Sequence, residues 1–263
     1  MYPTLFHIFG FRVDTYSVIW FIALSLAIIW SIHRLEKYQL DEYESRKIMA
    51  VSFFFMLFGA KSFEYIIHWD SYVNNPSLFL DINRGGVHEF GAVSGAFLSA
   101  LIMCMFSRKV SFAKLCDVAS PPAMLAITVG RWGCFLNGCC IGIKSDFFMA
   151  VHFPFDKAGV FRHPVQIYYS VIAFVIVGVL LLVERKVIPL QRRQKKHYSV
   201  VAPLAVILYS FMRLAIVPVR NYRPFMWIMT HQLTYRGILF ELPFMFVWLA
   251  YSLIKLKTLS QDK

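Results

Sequence analysis

The chain has little charge. Only 16% of its 263 residues are Asp, Glu, Lys or Arg, where a soluble domain carries about 25%. Acidic residues are the scarcer sign, 15 against 27 Lys and Arg. No polar stretch is long enough to make a soluble domain. Its five cysteines, Cys104, Cys116, Cys134, Cys139 and Cys140, include no pair of CxxC motifs, so the usual sequence form of a structural zinc site is excluded. There is no internal repeat and no low-complexity stretch. The first apolar run, around Ser17–Ile32, lacks a basic start and a small-residue cleavage site. It reads as a retained helix and not as a signal peptide.

What is abundant is apolar. Hydrophobic residues make up 58%, Phe alone numbers 26, and the mean hydropathy is +0.57. The apolar residues fall in runs of about 20, the length that crosses a hydrocarbon layer of about 30 Å. These runs predict an all-α, polytopic integral membrane protein forming a single membrane-embedded domain over 1–263. Seven spans are expected, near 16–32, 48–67, 90–106, 118–136, 166–183, 200–219 and 237–254. The third and fourth are short, and the fourth contains Pro121 and Pro122. Short or broken helices tend to line a cavity.

The net charge of +12 does not point to nucleic acid, because no basic cluster sits on a soluble domain. Lys and Arg number 16 in the loops after spans 1, 3, 5 and 7 and are fewer in the remaining loops. Cytoplasmic loops are enriched in these residues, so the N-terminus is expected outside and the C-terminus in the cytoplasm. The same cations meet anionic membrane lipid.

The predicted outer side carries a different chemistry. Arg131 lies between Gly130 and Gly133 at the end of an apolar span, with Asn137 and Gly138 following. An ionised group at such a place faces a pathway or a bound ion, or else snorkels to the interface. Its planar fork suits phosphate, and the glycines admit close backbone approach. Arg213 stands inside the span Leu204–Val219, with Tyr209 four residues before it and Arg220 seven after, all on one helix face. His88 and Glu89 precede Gly91-Ala92-Val93-Ser94-Gly95, a small-residue stretch that allows close helix packing. His88 is either a base or a surface histidine. His163, before Pro164, is either a ligand-facing group or a hydrogen-bonding group at a helix start. Lys61 and Glu64 either pair with each other or line a cavity. Cys134, Cys139 and Cys140 lie near the outer surface, where disulfides are permitted, or are small buried residues.

The stretch Gly130–Gly142 resembles the signature of the prolipoprotein diacylglyceryl transferase family, G-R-x-G-N-F-x-N-G-E, at Arg131, Gly133, Phe135, Asn137 and Gly138. Tyr16 falls where that family has a tyrosine at the head of its first span. Gly85, Gly86, Gly91 and Gly95 fit its glycine-rich histidine motif. Arg162-His163-Pro164 with Gln166 and Tyr168 resembles its R-H-P-S-Q-L-Y element. Tyr209, Arg213 and Arg220 keep its spacing, and Gly237 with Pro243 matches its last span. The departures are Phe90 at the family's histidine, Cys134 at an asparagine, and Cys139 and Tyr169 at two glutamates.

The resemblance implies a multi-pass enzyme of the bacterial cytoplasmic (inner) membrane. It would move the diacylglyceryl group of phosphatidylglycerol to a lipobox cysteine of a preprolipoprotein and release glycerol 1-phosphate. Arg131, Arg213, His88 and Glu89 are then the expected catalytic residues. Tyr16, Asn137, Gly138, His163, Gln166, Tyr209 and Arg220 are the expected substrate-binding ones. No metal and no cofactor is expected. Two alternatives stand beside this: a related membrane transferase with another acceptor, and a lipid or small-molecule transporter. Transporters are often built from internal repeats.

Overall fold

The structure, a computed structural model, describes residues 4–8, 11–79, 88–194, 197–221, 246–255 and 257. It is a polytopic α-helical membrane protein. Six helices among the described residues are long and apolar enough to cross a bilayer. A short antiparallel hairpin, β1 (Thr4–Ile8) and β2 (Phe11–Asp14), leads into α1 (Thr15–Leu35). Then follow α2 (Glu42–Ile67), α3 (Trp69–Asn74), α4 (Glu89–Ser107), α5 (Phe112–Asn137), α6 (Val165–Gln194) and α7 (Val201–Ile216). The six long helices fall on the first six expected spans. Of the seventh, the end lies in α8 (Phe246–Lys255) and the rest lies outside the described residues, as do Gly85, Gly86, Gly237 and Pro243. The chain divides into two compact units, Leu35–Leu115 and Met1–Arg34 with Cys116–Lys263.

In the Leu35–Leu115 unit, α2 starts at an Asp41 cap that accepts from the Glu44 amide at 2.8 Å, with Glu42 and Glu44 in its first turn. Both features favour a helix start. α2 and α4 then cross at glycines. A Cβ built on Gly59 or Gly91 would strike the other's carbonyl oxygen, and one on Gly95 would strike that of Phe55. The backbones touch because no side chain stands between them, which is the close packing expected of this stretch. Glu64 pairs with His68 at 3.6 Å, and the Lys61 ammonium lies 5.3 Å from the centre of the Tyr65 ring.

In the other unit, α1 meets α5 through small residues, Ala23 and Ala27 against Ala126. α6 and α7 share a core of Tyr169, Ala173, Ile176, Val177 and Leu180 with Val201, Ala205, Met212 and Ile216, joined by Met124 of α5. Contrary to the expectation of a short or broken fourth span, α5 is a continuous helix of 26 residues containing Pro121 and Pro122. A proline gives no N–H to the carbonyl four residues earlier. For Pro122 that carbonyl belongs to Val118, and Arg34 of α1 donates its Nε to it at 3.0 Å. The same guanidinium grips Glu184 of α6 in two bonds of 2.5 and 3.1 Å, with both residues buried. Nearby, Asp117 is 1% exposed and accepts from the Ser199 hydroxyl and the Ala202 amide, each at 2.7 Å. It therefore caps the start of α7 from a different helix.

Candidate functional site

The site is assembled where α5 ends. Arg131, 7% exposed, sits one turn and a half before that end. The glycines beside it face α1: a Cβ on Gly130 would lie 2.7 Å from the Trp20 ring, and one on Gly133 3.3 Å from the Tyr16 carbonyl. With the backbones this close, the guanidinium is directed onto the Tyr169 ring of α6, 4.1 Å from its centre. Stacking of this kind fixes the plane of the fork.

α5 is closed by Gly138, whose φ of 72° is the left-handed setting that glycine adopts at no cost. Its amide bonds the Phe135 carbonyl, and the Cys139 amide bonds that of Cys134, both at 3.1 Å. Asn137 is the last helical residue. Residues 141–143 then run between two other segments. Gly142 N–H donates to the His163 carbonyl (3.2 Å), Ile143 N–H to Val219 (2.9 Å), and Asn221 N–H to Ile141 (3.0 Å). Gly142 is obligatory here, since a Cβ would meet the His163 carbonyl at 2.5 Å. These bonds place Arg220 opposite Gly142. Gln166, 1% exposed, pins the turn by donating Nε2 to the Cys139 carbonyl at 2.6 Å. His163 Nδ1 shares a hydrogen bond with the Tyr168 hydroxyl at 3.1 Å.

Tyr16, Arg131, Gly138, Gln166, His163 and Arg220 are thus gathered around one short turn. The Tyr16 hydroxyl is within electrostatic reach of Arg131 and of all three cysteines of that turn. Arg213 forms a second group on α7, its Nη1 3.5 Å from the Tyr209 hydroxyl, and Tyr209 packs on the core that holds Tyr169. His88 and Glu89 belong to the other unit. His88 caps α4, its Nδ1 accepting from the Phe90 amide at 3.3 Å and its ring packing on Phe63. Glu89 is the first residue of that helix.

Sequence reasoning missed one feature and left a second open. Tyr169 enters the resemblance only as a departure from a glutamate, yet it is the surface on which Arg131 lies. Cys134, Cys139 and Cys140 are free thiols whose sulfurs all lie within 4.8 Å of one another. Cys140, at φ 58°, is a non-glycine residue in the left-handed region. Hydrogen bonds from the Cys134 and Cys139 thiols hold the Cys140 thiol well below its ordinary pKa, and Arg220 and Arg131 add to this. The bonds with Cys134 and Cys140 push Cys139 the other way.

The turn is braced on its outer flank by Arg162, which donates Nε and Nη2 to the two oxygens of Asp156, each at 2.7 Å. The Arg162 bond holds the Asp156 carboxyl below its ordinary 3.8. A depressed carboxylate contributes stability above its unfolded pKa and loses it as pH falls through the folded one. Amide protection at Val151 and Arg162, whose backbones bond at 2.9 and 3.0 Å, should therefore hold from neutral pH down through the ordinary aspartate range. It should fall only below that range. Hydrogen exchange at stepped pH checks this. Asp156→Asn should show low protection at every pH.

A model of the family described as prolipoprotein diacylglyceryl transferase matches residues 3–254. A protein of Clostridium novyi named phosphatidylglycerol–prolipoprotein diacylglyceryl transferase is 31% identical over 192 residues, 71% of this chain and 74% of its own length. Proteins of the same name from Clostridium tetani and Listeria innocua are each 29% identical. The first covers 81% of this chain and 86% of its own length, the second 83% and 79%.

Proposed function

The chain belongs to the prolipoprotein diacylglyceryl transferase family, and from that premise we propose that it transfers the diacylglyceryl group of phosphatidylglycerol to the thiol of a lipobox cysteine in a preprolipoprotein. Glycerol 1-phosphate is released. The enzyme works in the bacterial cytoplasmic membrane, with its N-terminus outside. The observation that carries the reading is the buried Arg131 fork, stacked on Tyr169 and flanked by Arg220 across a two-sided backbone clamp. A phosphodiester is an anion with paired oxygens, and a guanidinium of fixed plane binds it in two bonds.

The acceptor thiolate attacks the glyceryl carbon next to the phosphate ester, so that a carbon–sulfur bond forms while the carbon–oxygen bond breaks. Negative charge grows on the departing phosphate. Arg131 and Arg213 hold that charge, with fixed donors that need no reorganisation during reaction. Tyr209, Arg220 and Asn137 order the glycerol end. Gln166, already fixed through its Nε2, offers its Oε1 to a head-group hydroxyl.

The purified protein with phosphatidylglycerol and a lipobox peptide should yield a peptide heavier by one diacylglyceryl group, together with free glycerol phosphate. Lipid left intact in every acceptor mixture would overturn the reading. Glycerol phosphate released with no modified peptide would instead select the transferase with another acceptor, for which Phe90 at the family's histidine position speaks.

A further inference from the structure

The three thiols at the end of α5 have no part in the chemistry above, and two of them, Cys134 and Cys139, stand at an asparagine and a glutamate of the family signature. Cys134, 3% exposed, comes from the last turn of the helix, while Cys139 and Cys140 come from the turn that follows. Their sulfurs lie within 4.8 Å of one another. Three thiolates around one zinc, at about 2.3 Å each, stand about 3.8 Å apart. Rotation of the side chains alone spans that difference.

The backbone is arranged for this convergence. The Cys139 carbonyl is held by the buried Gln166, and Cys140 takes a left-handed setting uncommon for a residue with a side chain. Cys139 and Cys140 therefore present neighbouring sulfurs to Cys134 instead of pointing apart. Thiolate ligands of this softness select zinc or cuprous copper.

We propose that Cys134, Cys139 and Cys140 bind one zinc ion, and that the fourth coordination position takes the thiol of the acceptor cysteine. The site itself stands on the three sulfurs; the role of the fourth position rests on the transferase reading. Zinc in proteins is almost always four-coordinate, and a site with three protein ligands keeps one position for an incoming group. A thiol coordinated to zinc loses its proton outright. The metal thus does the work of a base on the acceptor thiol.

The step balances. The acceptor thiol gives its proton to water on coordination. Its sulfur then attacks the glyceryl carbon, the carbon–sulfur bond forms, and the carbon–oxygen bond breaks with its electron pair leaving on phosphate. One negative charge on sulfur and one on the phosphodiester become a neutral thioether and a doubly charged phosphomonoester. The zinc keeps its oxidation state, and the thioether, a weaker ligand than the thiolate, leaves.

The full-length protein, purified in detergent under reducing conditions and freed of metal by a chelator, is titrated with zinc and separately with cobalt. One equivalent of either should bind per chain, and the cobalt form should show thiolate-to-metal charge-transfer absorption. Both should be lost in Cys139→Ser and in Cys134→Ser. A lipobox peptide should shift the cobalt bands, and the same peptide with serine for cysteine should not.

Binding well below one equivalent, binding unchanged in the serine variants, or a disulfide among the three cysteines of active protein would each overturn the site. An unchanged cobalt spectrum with the cysteine peptide would overturn the acceptor role. If metal-free protein modifies the peptide at the full rate, zinc has no part and the transferase reading stands. If metal binds but phosphatidylglycerol is consumed by no form of the protein, the site stands and the transferase reading falls.

Discussion

Arg131→Ala lowers diacylglyceryl transfer by about two to three orders of magnitude, the loss that follows removal of one preorganised donor at a developing negative charge. The protein stays folded in the membrane. The effect is large because the side chain is both buried and aimed. It is 7% exposed and stacked 4.1 Å from the centre of the Tyr169 ring, so its two donors point one way before substrate arrives. Arg131→Lys keeps the charge and loses the fork, and should recover only part of the rate. Tyr169→Phe keeps the stacking face and should stay near wild type, whereas Tyr169→Leu should weaken transfer. The measurement is kcat/KM with phosphatidylglycerol and a lipobox peptide, beside a folding check by thermal melting in detergent. Full activity in Arg131→Ala would remove the arginine from the reaction.

The largest stability effect is expected at Arg34 and Glu184. Both are buried, at 5% and 0% exposure, and they share two hydrogen bonds. Taking away one member of such a pair leaves a charge in a place with little water, at a cost of about 3–5 kcal/mol. Arg34→Ala should be the worse of the two, because Arg34 also supplies the donor that Pro122 cannot give to the Val118 carbonyl. Replacing both by leucine-sized apolar residues should cost less than either single change, since no charge is then stranded. Denaturation midpoints of the single and double variants, set in a thermodynamic cycle, check the ordering. Additive effects would mean that the two charges do not act as a pair.

Much of the architecture was readable from the chain because lipid demands it. A long apolar run has few structures open to it in a bilayer, and the first six such runs are the six long helices. Helix ends were less readable. α6 was expected to stop near residue 183 and continues to Gln194. Hydropathy falls at Glu184, but that residue is buried against Arg34, so the helix runs on through charged residues. α5 was expected to be a short or broken span, and it is a continuous helix in which Arg34 of another helix supplies the donor that Pro122 lacks. Neither partner is visible in a local window.

The site was readable by residue type and not by assembly. Arg131 and Arg220 stood out as cations beside apolar runs, but they lie far apart in the chain. What joins them is a set of backbone bonds through Ile141, Gly142 and Ile143 that no side-chain pattern announces. Cys134, Cys139 and Cys140 were placed together near the outer surface, but the convergence of their sulfurs was unreadable for a similar reason. Their spacing matches no paired motif, and they meet only because Gly138 and Cys140 turn the chain back on the helix end.

Asp117 sets an order of events. Its partners His197, Ser199 and Ala202 all lie 80 or more residues after it. A carboxylate with 1% exposure is tolerable only once it is paired. Until those residues are in place the carboxylate lacks the bonds that make its burial tolerable, so that end of α5 is expected to stay wet. The arrival of α7 is what allows the carboxylate to dry, so the last of the six long helices closes the assembly that the fourth began.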